Sequence, residues 1–279
     1  MVLVLVAILI FPLAFSFVVS LQDFELTKIG QQRFIGLENY VNLISNESFW
    51  TAMRNTIVFV VVAVGIEVVL GFGLALLLHN KATFLRGFFR STLLTPMFIT
   101  PIAVGLIFRF LTNSQLGVIT IGLKSLGIYI DLFSPKLALL SIALIDVWQW
   151  TPFVFLILLS GMYAIPRNLF EASELDGAST TRTLLFITLP LLKRVLMIVL
   201  LLRAIDLFRA FETIVATTQG GPGAATYTLP VMIWETAFVN FQMGDAAAAS
   251  IVLLVIVSIA ITLLIRMVAR NSRSAEARA

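Results

Sequence analysis

The residues able to do chemistry fall in two stretches. Asp146, Trp148, Gln149, Trp150, Thr151 and Pro152 form a polar and aromatic knot inside one apolar run, and Arg203, Asp206, Arg209 and Glu212 recur at a constant spacing with alternating sign inside another. Both runs are long and apolar enough to cross a bilayer, where a charge facing lipid near the centre costs about 2.5–3.5 kcal/mol on insertion scales. These charges must therefore face protein or water. Glu67, alone in a third apolar run, is under the same constraint and needs a partner helix or a wet cavity. Two chemistries fit. The charges of the 203–212 ladder could pair along a helical stripe and neutralise one another. Alternatively Asp146, Trp148, Gln149, Trp150, Asp206, Arg209 and Glu212 could line a path for a polyhydroxy solute, with the indoles stacking on it and the polar groups bonding its hydroxyls. A helical rise of about 1.5 Å per residue puts Asp206 and Gln149 at similar depth, so the two clusters are expected to meet.

Catalysis is not provided for. There is no G-x-x-x-x-G-K-[ST] phosphate loop, no Ser-x-x-Lys, no nucleophile elbow and no His-Glu metal motif. Cysteine is absent and His79 is the single histidine, so neither a thiol nucleophile nor a Cys/His metal site can be built. His79 and Asp146 should lie at different depths and make no catalytic pair. The chain is read as a non-enzyme with no cofactor of its own.

The elements that must position these groups follow from composition. At 59% hydrophobic and 12% charged over 279 residues, the chain departs from soluble domains, which are about half apolar and a quarter charged. The net charge of +4 comes mostly from loops and is an orientation signal, not a nucleic-acid surface. Apolar runs at 2–21, 55–78, 91–111, 137–163, 195–217 and 243–266 predict an all-α membrane protein of about six transmembrane helices. A cleaved signal peptide ending near Ala14-Phe15-Ser16 is the alternative for the first run, but no basic residues precede it. Pro96 and Pro101 should bend the third run. Gly65, Gly71 and Gly73 should let helices approach closely, and 246–250 should make a tight helix contact. Three parts result: 1–53, a first span and outer loop; 54–268, the main transmembrane domain; and 269–279, a short basic tail.

Between the fourth and fifth runs lies a polar elbow, 164–194, centred on EASELDGASTTRTLLFITLP. Pro166 suits a first helical turn, Gly177 allows a sharp change of direction, and Pro190 opens the next element. A membrane protein has little use for such an elbow unless something outside the bilayer grips it.

Glu171-Ala172-Ser173, Gly177, Ile187, Leu189 and Pro190 resemble the EAA signature of the membrane subunits of binding-protein-dependent ABC importers. Ser173 stands where that signature has alanine. Residues 11–24, 34–40 and the Gly220-Gly221-Pro222-Gly223 segment within 218–238 resemble the carbohydrate class, of the maltose and glycerol-phosphate type. The resemblance implies that Glu171, Ala172, Ser173, Asp176, Gly177, Ala178, Leu189 and Pro190 form a cytoplasmic coupling-helix elbow that docks on a separate ATPase. It also implies a second, similar permease, two ATPase subunits using ATP and Mg²⁺, and an extracytoplasmic solute-binding protein, all at a bacterial or archaeal cytoplasmic membrane. The cargo would be an oligosaccharide or a related polyol or sugar phosphate. A permease for other solutes would carry the elbow without the Gly-Gly-Pro-Gly segment, and a secondary transporter would show internal repeats and have no use for the elbow. With the elbow and both termini cytoplasmic, eleven cations fall inside against five outside, as positive-inside orientation requires.

Overall fold

The computed structural model describes residues 2–28, 30–79 and 92–276. The connector carrying Lys81, Arg86 and Arg90, and Arg278 at the far end, lie outside them.

Helix α1 (Val2–Ser20) is followed by a hairpin of β1 (Gln22–Asp23) and β2 (Arg33–Phe34), paired antiparallel, and by α2 (Glu38–Ser45). The 34–40 stretch closes the end of α1. Buried Asn39 donates through Nδ2 to the Ser20 and Gln22 carbonyls at 2.9 and 3.0 Å, and the Tyr40 and Ser20 hydroxyls are 2.6 Å apart. Carbonyls left without partners at a helix end are thereby satisfied.

Helix α3 (Glu47–His79) has 33 residues, about 50 Å of helix against a hydrocarbon core of about 30 Å. It begins ahead of the apolar run because Phe49 and Ala52 already bury one side of its polar first turns. Residues 92–98 and α4 (Pro101–Leu111) then form a pair bent by 106°. The bend expected from the two prolines is a near right angle. Ile99 and Thr100 are both extended, at ψ 135 and 141, and a residue before proline is driven out of the helical region. Helices α5 (Val118–Ser125) and α6 (Ala138–Tyr163) follow. The elbow consists of α7 (Arg167–Leu175), α8 (Thr180–Thr183) and a π-helical turn, Leu184–Thr188, that leads into α9 (Leu189–Phe208). Short α10 (Glu212–Thr217) and α11 (Leu229–Trp234) precede α12 (Met243–Glu276), which carries the helix as far as Glu276, into the stretch expected to be a tail.

Among the described residues, four helical runs are long and apolar enough to cross a membrane: α3, α6, Thr180–Phe208 and Met243–Arg266, with the bent pair a fifth if counted as one span. The chain is thus a mostly helical, multi-pass membrane protein. Helix α6 is central, with 67% of its apolar window buried, whereas α12 buries 11% and turns its apolar side outward. The widest helix contact is between α3 and α6. There Gly71 permits the approach, since a Cβ would stand 2.7 Å from Val154 and 3.0 Å from the Phe155 amide nitrogen. Gly65 and Gly73 have open space instead, so only one of the three glycines does what their spacing suggested. Ala246, Ala248 and Ala249 are buried in α12, which packs on α1, α2 and α11, as the small-residue run predicted. The 218–228 loop is held to α3: Asn55 donates to the Ala224 and Tyr227 carbonyls at 2.8 and 3.0 Å, and the Leu229 amide donates to Thr56 Oγ1 at 2.9 Å.

Candidate solute pathway and elbow

Arg203 of α9 is 1% exposed and joins three helices. Its Nε and Nη2 donate to Glu67 Oε2 and Oε1 of α3, each at 2.7 Å, a bidentate pair. Nη2 also donates to Asp146 Oδ2 of α6 at 2.5 Å, and Nη1 to Asp206 Oδ2 at 3.5 Å. The Trp150 ring lies over the guanidinium with its centroid 5.0 Å away.

Pairing within the ladder therefore survives only as the long Arg203–Asp206 contact. The main partners of Arg203 come from other helices, and Glu67 finds the partner its depth required. The fifth run is also shorter than predicted. Helix α9 ends at Phe208, and Arg209 and Glu212 lie beyond it, off the stripe. No glycine or proline marks this stop. Instead α10 packs against α4, where a Cβ on Gly105 would stand 2.6 Å from the Ala216 Cβ.

Beside the ion group lies a cavity of about 240 Å³. Asp146, Trp150, Arg203, Asp206, Arg209 and Glu212 line it, together with Pro101 of α4 and Phe211. The two polar clusters do meet, though not with every expected member. Trp148 leaves the cavity and packs edge-on against Phe108, ring centroids 5.3 Å apart. Gln149 is fully buried and donates through Nε2 to the Ile99 carbonyl at 2.7 Å, at the sharp bend ahead of α4. That carbonyl sits where the helical ladder is broken, so Gln149 holds the bend. Gln149→Leu is expected to leave the carbonyl unpaired and destabilise the protein by about 1–3 kcal/mol. A lowered melting temperature in detergent would show it, and an unchanged one would remove Gln149 from this role.

His79 lies at the other end of α6, its ring centroid 5.1 Å from Tyr163 and 6.0 Å from Phe170. Tyr163 is about 25 Å along the helix from Asp146, so the two are separated as expected. No group of three or more metal-ligating side chains occurs among the described residues.

At the elbow, α7 closes in a Schellman turn. Gly177 has φ +69, its amide donates to the Glu174 carbonyl at 3.1 Å, and the Ala178 amide donates to the Ser173 carbonyl at 2.9 Å. Glycine at this position is thus a backbone requirement. Buried Ser173, the departure from alanine, donates to the Phe170 carbonyl at 2.8 Å, and its hydroxyl is 3.2 Å from that of Thr183, bridging the two arms. Ser179 accepts from the Arg182 amide and caps α8. Pro190 has no amide hydrogen to continue the ladder, and the chain ahead of it widens into the π turn. Glu171, Ala172, Asp176, Gly177 and Pro190 are exposed; Ala178 and Leu189 are half-buried. Leu175 and Phe186 are 90% and 76% exposed, an unusual display for a helical elbow.

Apolar spans around a polar cavity, with a separate exposed elbow, define a multi-pass membrane protein. Residues 67–274 match the family of binding-protein-dependent transport system inner membrane components, and the chain belongs to that family. It is 40% identical over 248 residues to a probable ABC transporter permease of Sinorhizobium fredii, covering 88% of this chain and 80% of that one. It is 36% identical over 249 residues to the trehalose/maltose transport system permease protein MalF of Thermococcus litoralis, covering 88% and 82%. Among solved structures, a bacterial ABC transporter involved in the import of the acidic polysaccharide alginate superposes with TM-score 0.84 at 20% identity, over 96% of this chain and 92% of that chain.

Proposed function

We propose that this chain is one permease of an ATP-driven importer for a sugar, and that the cavity bounded by Asp146, Trp150, Asp206, Arg209 and Glu212 is part of the path. The observation that carries this reading is the cavity itself: an indole and the exposed carboxylates of Asp206 and Glu212 gathered beside apolar spans, next to the buried Arg203, Glu67 and Asp146. Support for a carbohydrate comes from the Thermococcus relative, whose name gives trehalose and maltose. The Gly-Gly-Pro-Gly segment agrees with it, and the trehalose/maltose relative is more similar to this chain, at 36% identity, than the sn-glycerol-3-phosphate permease of Agrobacterium fabrum, at 33%.

The chain crosses the membrane about six times, through α1, α3, the bent pair, α6, α8–α9 and α12, with both ends in the cytoplasm. The elbow is the coupling helix. Exposed Leu175 and Phe186 flank the Schellman turn and offer an apolar surface to a groove on the ATPase, with Glu171 and Asp176 as its polar contacts. A second permease, two ATPase subunits that use ATP and Mg²⁺, and an extracytoplasmic binding protein complete the assembly.

Cysteine substitution tests path and topology together, because the chain has no native cysteine. In the assembled importer, Trp150→Cys and Ala210→Cys should react with a membrane-impermeant thiol reagent and be protected by trehalose or maltose. Trp148→Cys should show no protection. Lys124→Cys should label from outside, and Arg182→Cys only after permeabilisation. Inaccessibility of both cavity positions would remove the path from this cavity, and labelling of Arg182→Cys from outside would invert the topology.

A further inference from the structure

The family contains proteins named for neutral trehalose and maltose, and the same fold serves an importer of acidic alginate, so the fold leaves the charge of the cargo open. We propose that this cavity selects uncharged sugars against anionic ones; the inference rests on the carbohydrate reading above. The cavity wall carries three carboxylates, Asp146, Asp206 and Glu212, against two guanidinium groups, Arg203 and Arg209, and Glu67 adds a further acid directly behind Arg203.

The two cations are not equally available. A guanidinium has five N–H donors, and Arg203 directs Nε and both terminal nitrogens at Glu67, Asp146 and Asp206 while Trp150 covers its face. An incoming phosphate or carboxylate would have to break those ion pairs to reach it. Arg209 is exposed, but in the chain it stands midway between Asp206 and Glu212, both exposed. Asp146 is likewise buried against Arg203, so what the cavity offers a solute is the two exposed carboxylates of Asp206 and Glu212 against the one exposed guanidinium of Arg209, and a carboxylate oxygen only accepts hydrogen bonds. Sugar hydroxyls can donate to it. An anionic group cannot, and it meets like charge in surroundings of lower dielectric than water, where repulsion is strengthened.

Binding-protein specificity is bypassed by measuring protection directly on the solubilised importer without its binding protein. With Ala210→Cys as reporter, the probes are trehalose, maltose and digalacturonate. The neutral disaccharides should protect at about tenfold lower concentration than digalacturonate. Adding Asp206→Asn and Glu212→Gln should bring the ratio close to one, and adding Arg209→Gln instead should widen it. Gel filtration confirms that each variant assembles, and the Arg209→Gln arm stands by itself if the double variant does not. Equal or better protection by digalacturonate, or a ratio that ignores these substitutions, overturns the proposal. Protection by no saccharide, charged or neutral, overturns the carbohydrate path itself and the selectivity with it.

Discussion

Arg203→Leu is expected to remove most of the folded protein. It would leave Glu67, fully buried, and Asp146, 6% exposed, without the cation that both share. Breaking a buried ion pair by removing one partner costs about 3–5 kcal/mol, a large share of a total stability of about 5–15 kcal/mol. Arg203→Lys should fare little better, because an ammonium cannot make the bidentate contact to Glu67 and reach Asp146 as well. Neutralising the whole group, with Glu67→Gln and Asp146→Asn added to Arg203→Leu, should restore much of what the single change loses, since no uncompensated charge is then buried. Melting in detergent and the fraction recovered as a single species measure all three. If Arg203→Leu melts as the parent does, the ion group is not closed in, and its place as the clamp between α3, α6 and α9 is lost.

Gly177→Asp should abolish transport while the spans stay folded. At φ +69 a side chain strains the backbone by about 1 kcal/mol or more. A Cβ there meets no other atom within 4 Å, so the effect is conformational and not a clash. The new carboxylate also sits at the C-terminal end of α7, where the helix dipole disfavours negative charge by about 0.3–1 kcal/mol. The glycine is exposed and remote from the cavity, so the disturbance stays in the angle between α7 and α8. Since about 1.4 kcal/mol is a factor of ten in an equilibrium, loss of docking by about tenfold or more is expected, with binding-protein affinity unchanged. Uptake and co-purification of the ATPase read the two outcomes separately. Transport at the parent rate with the ATPase still bound would show that the elbow does not dock there.

Most of the elbow was legible in the sequence because its determinants are local. Pro166, Gly177 and Pro190 each act on the backbone within a turn of themselves, and the Schellman bonds join residues three and five positions apart. Glu67 was legible as a group in need of a partner, but not which one. That choice joins residues 136 positions apart in the chain, and no local rule spans such a distance. The turning of Trp148 away from Trp150 was legible as well. At about 100° per residue, Trp148 and Trp150 point to opposite sides of a helix, whereas Asp146 and Trp150 share one. Gln149 could not be placed this way, because its partner is a carbonyl freed only when the Ile99–Thr100 bend forms.

The sequence alone determined the apolar runs, the elbow with its glycine turn, and the rule that mid-span charges must face protein or water, since each depends on local composition, backbone preference or the energetics of lipid. Tertiary structure decided the rest. Packing of α10 on α4 accompanies the end of α9 at Phe208. The meeting of α3, α6 and α9 binds Glu67 and Asp146 to one arginine and leaves Asp206, Arg209 and Glu212 to the cavity. A buried charge takes the partner that the packed helices bring within reach, and that partner exists only once they have packed.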